Sequence, residues 1–165
     1  MIIDLLTFTL IHVVLSLVGF IAGLVVVGGL MAGVRFDAWT GVYFVTTVLT
    51  NVTGFGFPFA TLLPSHIVGG ISLLVLVVAI AARYWKHLSG GWRGVFVVST
   101  VLALYLNVFV LVAQLFQKVP ALIAVAPTQK APAFVVTHLI VLALFVVLGM
   151  AAVRGFRTER AAVAS

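Results

Sequence analysis

Three of the four histidines lie in long apolar stretches of this sequence, His12, His66 and His138, and the side-chain amides Asn51 and Gln114 lie at similar places in two further stretches. A polar group in such a setting is costly and marks a site more often than it fills space. Imidazole nitrogens ligate haem iron, copper or zinc, move protons, and hydrogen-bond small carbonyl or hydroxyl compounds. No Asp, Glu, Lys or Arg falls inside the same stretches. Carboxylate proton relays, voltage-sensing arginines and buried ion-pair switches therefore lack their material. The chain has no cysteine, which excludes disulfides, thiolate nucleophiles, Cys-ligated zinc, iron–sulfur clusters and covalently attached c-type haem.

The elements that must position these groups are membrane helices. Of 165 residues, 64% are apolar and 7% charged, with a mean hydropathy of +1.37, whereas soluble domains carry about 25% charged residues. So few charges cannot coat a water-facing surface, and the chain reads as one all-α transmembrane domain over residues 1–165. A soluble enzyme, a disordered tail and a secreted disulfide module are excluded. The net charge of +6 does not make a nucleic-acid binder, because nine basic residues spread along the chain form no continuous basic face. They are topology signals.

Uncharged runs separate Asp4 from Arg35, Asp37 from Arg83, Arg93 from Lys118 and Lys130 from Arg154. One crossing takes about 20 apolar residues. The run from Asp37 to Arg83 is too long for one helix and is broken by Gly54, Gly56, Pro58 and Pro64, so it divides at an uncharged turn from Phe57 to Ser65. Five transmembrane helices are predicted, at 5–29, 38–57, 64–84, 93–117 and 133–154. The start, Met1 to Asp4, has no positive region of the kind that precedes a cleaved leader, so the first span is expected to be retained.

Alternation of spans puts Arg35, Arg83, Lys86, Arg93, Arg154, Arg157 and Arg160 on one side, and Lys118 and Lys130 on the other. The positive-inside rule makes the first side cytoplasmic, the N-terminus external and the C-terminus cytoplasmic. Tyr84, Trp85 and Trp92 flank the basic 83–93 loop, where an interfacial aromatic belt belongs. The loop from Val119 to Pro132 is apolar and proline-rich, and is expected to lie on the membrane surface.

Each span carries one small or polar stripe. His12, Ser16, Gly19 and Gly23 share a face of the first helix, Thr47, Asn51, Gly54 and Pro58 of the second, and His138, Leu142, Phe145 and Gly149 of the fifth. The third starts at Pro64 and bears His66, Gly69, Gly70 and Ser72, and the fourth aligns Ala103, Asn107 and Gln114. Counted inward from the outer boundary, His12 and Asn51 lie about 10 Å deep, His138 about 7 Å, Gln114 about 5 Å and His66 about 3 Å. All five belong to the outer leaflet. If the stripes face the bundle axis, three imidazoles converge on one chamber below the outer surface.

Such a chamber suits a single b-type haem for electron transfer. His12 and His138 would be the axial ligands, His66 a partner for a propionate, and Lys118 or Lys130 its counter-charge. A second reading is a copper or zinc site on His12, His66 and His138, with Asn51 or Gln114 orienting the rings. A third needs no prosthetic group: a quinone-binding or accessory subunit that works beside redox membrane proteins. Without a buried carboxylate the chain is not expected to be an enzyme by itself. The plain alternative is packing, since small-residue stripes let membrane helices approach closely and a lone His often makes only an interhelical hydrogen bond. His87, beside Lys86, reads as a solvated loop residue. Asn51-Val52-Thr53 lies inside a span where no glycosyltransferase acts, and Gly54-Phe55-Gly56 lacks the lysine and context of a phosphate loop.

The segments Leu49-Thr-Asn-Val-Thr-Gly-Phe-Gly-Phe-Pro-Phe59, Leu63-Pro-Ser-His-Ile-Val-Gly69 and Leu106-Asn-Val-Phe-Val-Leu-Val-Ala-Gln114, with Ala126-Pro-Thr-Gln129 beyond, resemble a family of small polytopic inner-membrane proteins of bacteria. The resemblance implies a bacterial plasma membrane and brings no activity with it. Four-helix di-haem b561 cytochromes are similar only in being small, helical and histidine-bearing; the inner half here has no intramembrane His, so any haem would be single.

Overall fold

The computed structural model describes residues 4–57 and 64–162, with side chains at 4–57 and 66–156. Every element among the described residues is helical: α1 (Leu5–Met31), α2 (Asp37–Gly54), α3 (Pro64–Ile80) continuing into a π turn (Ala81–Trp85), α4 (Trp92–Lys118), the short α5 (Pro120–Val125) and α6 (Pro132–Ala162). In lipid a helix satisfies its own backbone groups, which is why valine-rich runs that would make strands in water make helices here. Four helices are long and apolar enough to cross a membrane: Leu5–Met31, His66–Trp85, Trp92–Lys118 and Pro132–Phe156. The chain is a helical membrane protein.

Local sequence explains where the helices start and stop. The Asp4 carboxylate caps α1 by accepting from the Thr7 amide at 2.6 Å. Pro120 ends α4, because the residue before a proline is pushed out of helical conformation, and then opens α5 as its first residue. Between the π turn and α4 the chain reverses in a tight loop where His87, Leu88 and Gly90 all take left-handed backbone angles. The threonines of α2 are accommodated by bonding back one turn, as Thr46 does to the Val42 carbonyl at 2.7 Å and Thr50 to the Thr46 carbonyl at 2.8 Å.

The expected helices are present with shifted ends. α2 stops at Gly54, three residues before the expected 57, and the chain continues as a turn through Phe55 and Gly56. The predicted turn from Phe57 to Ser65 falls mostly outside the described residues. The apolar 119–132 loop contains a helix, α5, that was not anticipated, and α6 runs on to Ala162 rather than ending at 154.

α1 and α2 form an antiparallel hairpin packed along its whole length, from Gly29 against Phe36 at one end to Phe8 against Gly56 at the other. α4 packs on α1, α3 and α6, and α6 closes back onto α1. One end of the bundle collects the charges: Arg83 pairs with Asp37 at 2.6 Å, Lys86 lies over the Trp92 ring and Arg93 over the Phe156 ring. Nearly all the close-packed apolar core lies in this half, built from Ala22, Val26, Leu30, Tyr43, Leu76, Phe96, Leu104 and Phe156 among others. Small residues make that possible, since Gly19, Gly23 and Gly29 let α1 sit directly on side chains of its neighbours. Tyr43 adds an interhelical hydrogen bond from its hydroxyl to the Thr100 carbonyl at 3.1 Å. The opposite half, which carries Lys118, is looser: on α1 the buried residues begin only at Gly19.

Candidate functional site

All three intramembrane histidines lie in the looser half, but each is held in a different groove. The Nδ1 of His12 on α1 is 2.9 Å from Thr53 Oγ1 on α2, and the ring meets the Phe57 ring edge-on at 5.1 Å. His66 at the start of α3 lies beside the Phe55 ring at 5.6 Å. His138 on α6 is clamped between Phe109 of α4 and Phe134 of its own helix, with ring centroids 4.5 and 4.2 Å away. Among the described residues no three His, Cys, Asp or Glu side chains are grouped closely enough to hold a metal ion. The face of α1 that carries His12 lies against α2: Gly19 meets Thr46 and Thr47, Gly23 meets Tyr43, and His12 meets Gly54.

The hydrogen bonds decide what each ring offers. Thr53 Oγ1 donates to the Leu49 carbonyl at 2.7 Å, so its hydrogen is already used. It can only accept from His12, which places the ring hydrogen on Nδ1 and leaves Nε2 as a bare lone pair. Among the described residues Nε2 has no partner. This is the arrangement of a histidine that ligates a metal or accepts a hydrogen bond from a ligand: one nitrogen anchored, the other open. Phe8 and Phe57, packed edge-to-face at 4.9 Å, form an apolar collar beside it.

His138 is different. Its Nδ1 lies 2.9 Å from the Phe134 carbonyl and its Nε2 3.4 Å from the Phe109 carbonyl. A neutral ring has one hydrogen for these two acceptors, and the shorter contact takes it. The remaining nitrogen faces the Phe109 carbonyl oxygen, with the Phe109 ring beside it.

Asn51 spends both amide hydrogens on structure, donating to the Thr47 carbonyl at 2.8 Å and to Ser72 Oγ at 3.2 Å, and so ties α2 to α3. Gln114 is half-buried on α4 and makes no hydrogen bond among the described residues. The sequence reading missed Thr53, which it treated only as part of a spurious glycosylation triplet, and the collar of Phe8 and Phe57. The α2 stripe of Thr47, Asn51 and Gly54 gave no reason to single out Thr53; its role follows from where α1 crosses it.

Comparison with family models, with curated proteins and with solved structures finds no match.

Proposed function

We propose that the chain is a five-span protein of the bacterial inner membrane that binds a quinol-type lipid at His12, as a subunit of a larger redox assembly. The carrying observation is the His12 ring, whose Nδ1 is held at Thr53, whose Nε2 has no partner among the described residues, and which packs on Phe57 with Phe8 beyond it. A quinol hydroxyl would donate to Nε2 while its ring lies against Phe8 and Phe57. Entry from the bilayer is consistent with the outward exposure of Leu10 and Ile11 on the same turns of α1.

A fifth crossing by α2 is supported by its packing along α1, since a helix paired with a spanning helix over that length shares its path. The charge distribution supports a cytoplasmic basic end and an external N-terminus. The same anchored tautomer also favours a second reading, in which His12 is the one protein ligand of a b-type haem.

One preparation separates these readings. The chain purified in nanodiscs is expected to yield a stoichiometric quinone on organic extraction, lost in His12→Ala, with no Soret absorption. A Soret band lost in the same variant would replace the quinol with haem. Copper or zinc that also depends on His66 and His138 would restore the three-histidine site. None of these signals would reduce the chain to a packing subunit.

A further inference from the structure

A cavity lies away from the histidines, in the basic half of the bundle on its lipid-facing surface. It is a groove of about 480 Å³ between α4 and α6, floored by Val101, Phe145 and Gly149, with Leu102 and Val146 on its walls and Arg154 at one end. It extends along α6 from Leu142 to Arg154, about 18 Å at helical rise. That is close to the thickness of one leaflet's hydrocarbon, about 15 Å. Its deep end therefore reaches about the midplane and its charged end the boundary of the leaflet at the basic end. Arg154 is exposed and makes no hydrogen bond or ion pair among the described residues.

Shape and charge together select the occupant. A single hydrocarbon chain fits the apolar lining, and Arg154, the one charged residue that lines the groove among the described residues, calls for an anion where that chain meets the headgroup region. We propose that this groove binds one acyl chain of an anionic phospholipid in the leaflet at the basic end, with Arg154 on its phosphate. The site does not depend on His12 or its ligand.

Native mass spectrometry of the full chain, titrated with phosphatidylglycerol or with phosphatidylcholine, tests it. The chain is expected to retain phosphatidylglycerol over phosphatidylcholine by about fivefold, the worth of one interfacial arginine. Arg154→Gln is expected to remove that preference, and Val146→Trp, which changes an exposed wall residue and no core contact, to reduce retention of both lipids. Lys118→Gln, at the other end of α4, should change neither. Equal retention of the two lipids by the unaltered chain, undiminished retention in Val146→Trp, or a dimer that Val146→Trp dissociates would each overturn the proposal.

Discussion

Where α6 passes α1, the α-carbon of Gly155 lies directly on the carbonyls of Met31 and Leu30, and a methyl group there would collide with the Met31 carbonyl oxygen. Backbone cannot rotate aside as a side chain can, so Gly155→Ala should cost at least about 2 kcal/mol in reversible unfolding from mixed micelles. Gly23 meets a Leu104 methyl and the edge of the Tyr43 ring rather than backbone, and its alanine variant should lose less. Gly28 has open space around it, and Gly28→Ala should stabilise α1 by up to about 1 kcal/mol. The order of the three variants is the test; equal losses would mean that helix propensity outweighs packing. Thr53 works through another residue and is a positioning group. Thr53→Val keeps the shape and removes the acceptor that holds the hydrogen on Nδ1 of His12, so it should weaken ligand retention by about tenfold with little loss of stability, and Thr53→Ser should restore it. If Thr53→Val retained ligand like the unaltered chain, the ring would not need its anchor.

At the scale of elements, α2 is joined to the π turn after α3 by the pair of Asp37 and Arg83, 2.6 Å apart. The Arg83 guanidinium holds the Asp37 carboxyl below its ordinary value of 3.8. A carboxyl with a lowered folded pKa adds stability above its unfolded pKa and loses it as pH falls through the folded one. Acid destabilisation from this pair should thus be confined to pH below about 4, and Asp37→Asn should remove it. The Asp37 side chain is 69% exposed, so water screens the pair and the loss at neutral pH should stay under about 1 kcal/mol; a larger loss in Asp37→Asn would show that the ends of α2 and α3 depend on it. The helices themselves were legible from charge spacing, because Asp37, Arg83, Arg93 and Lys118 cannot sit deep in lipid. The stripe of His12, Gly19 and Gly23 was legible from the period of the helix. What spacing could not tell is which neighbour a stripe meets: His12, His66 and His138 lie in the same half of the bundle, yet α2 stands beside the first two and α4 beside the third. Nor could the period of α4 announce α5, which exists because Pro120 restarts a helix in an apolar loop.

The molecule as a whole is asymmetric along its axis, with a dense half stitched by glycine, alanine and Tyr43 beneath the basic end and a looser half around the histidines. Dense packing supplies van der Waals energy where lipid offers no hydrophobic drive for helix association. The asymmetry is useful only if its direction in the membrane is fixed, and under the proposed topology the positive charges would set that direction. The basic loop carries Ser89, and the opposite loop carries Thr128 between α5 and α6. Because the chain has no cysteine, Ser89→Cys and Thr128→Cys each introduce a single thiol. In intact cells an impermeant maleimide should label the second and not the first, and both should be labelled once the membrane is opened. The reverse pattern would put the His12 end on the cytoplasmic side, and any quinol at His12 would then exchange its protons with the cytoplasm rather than the exterior.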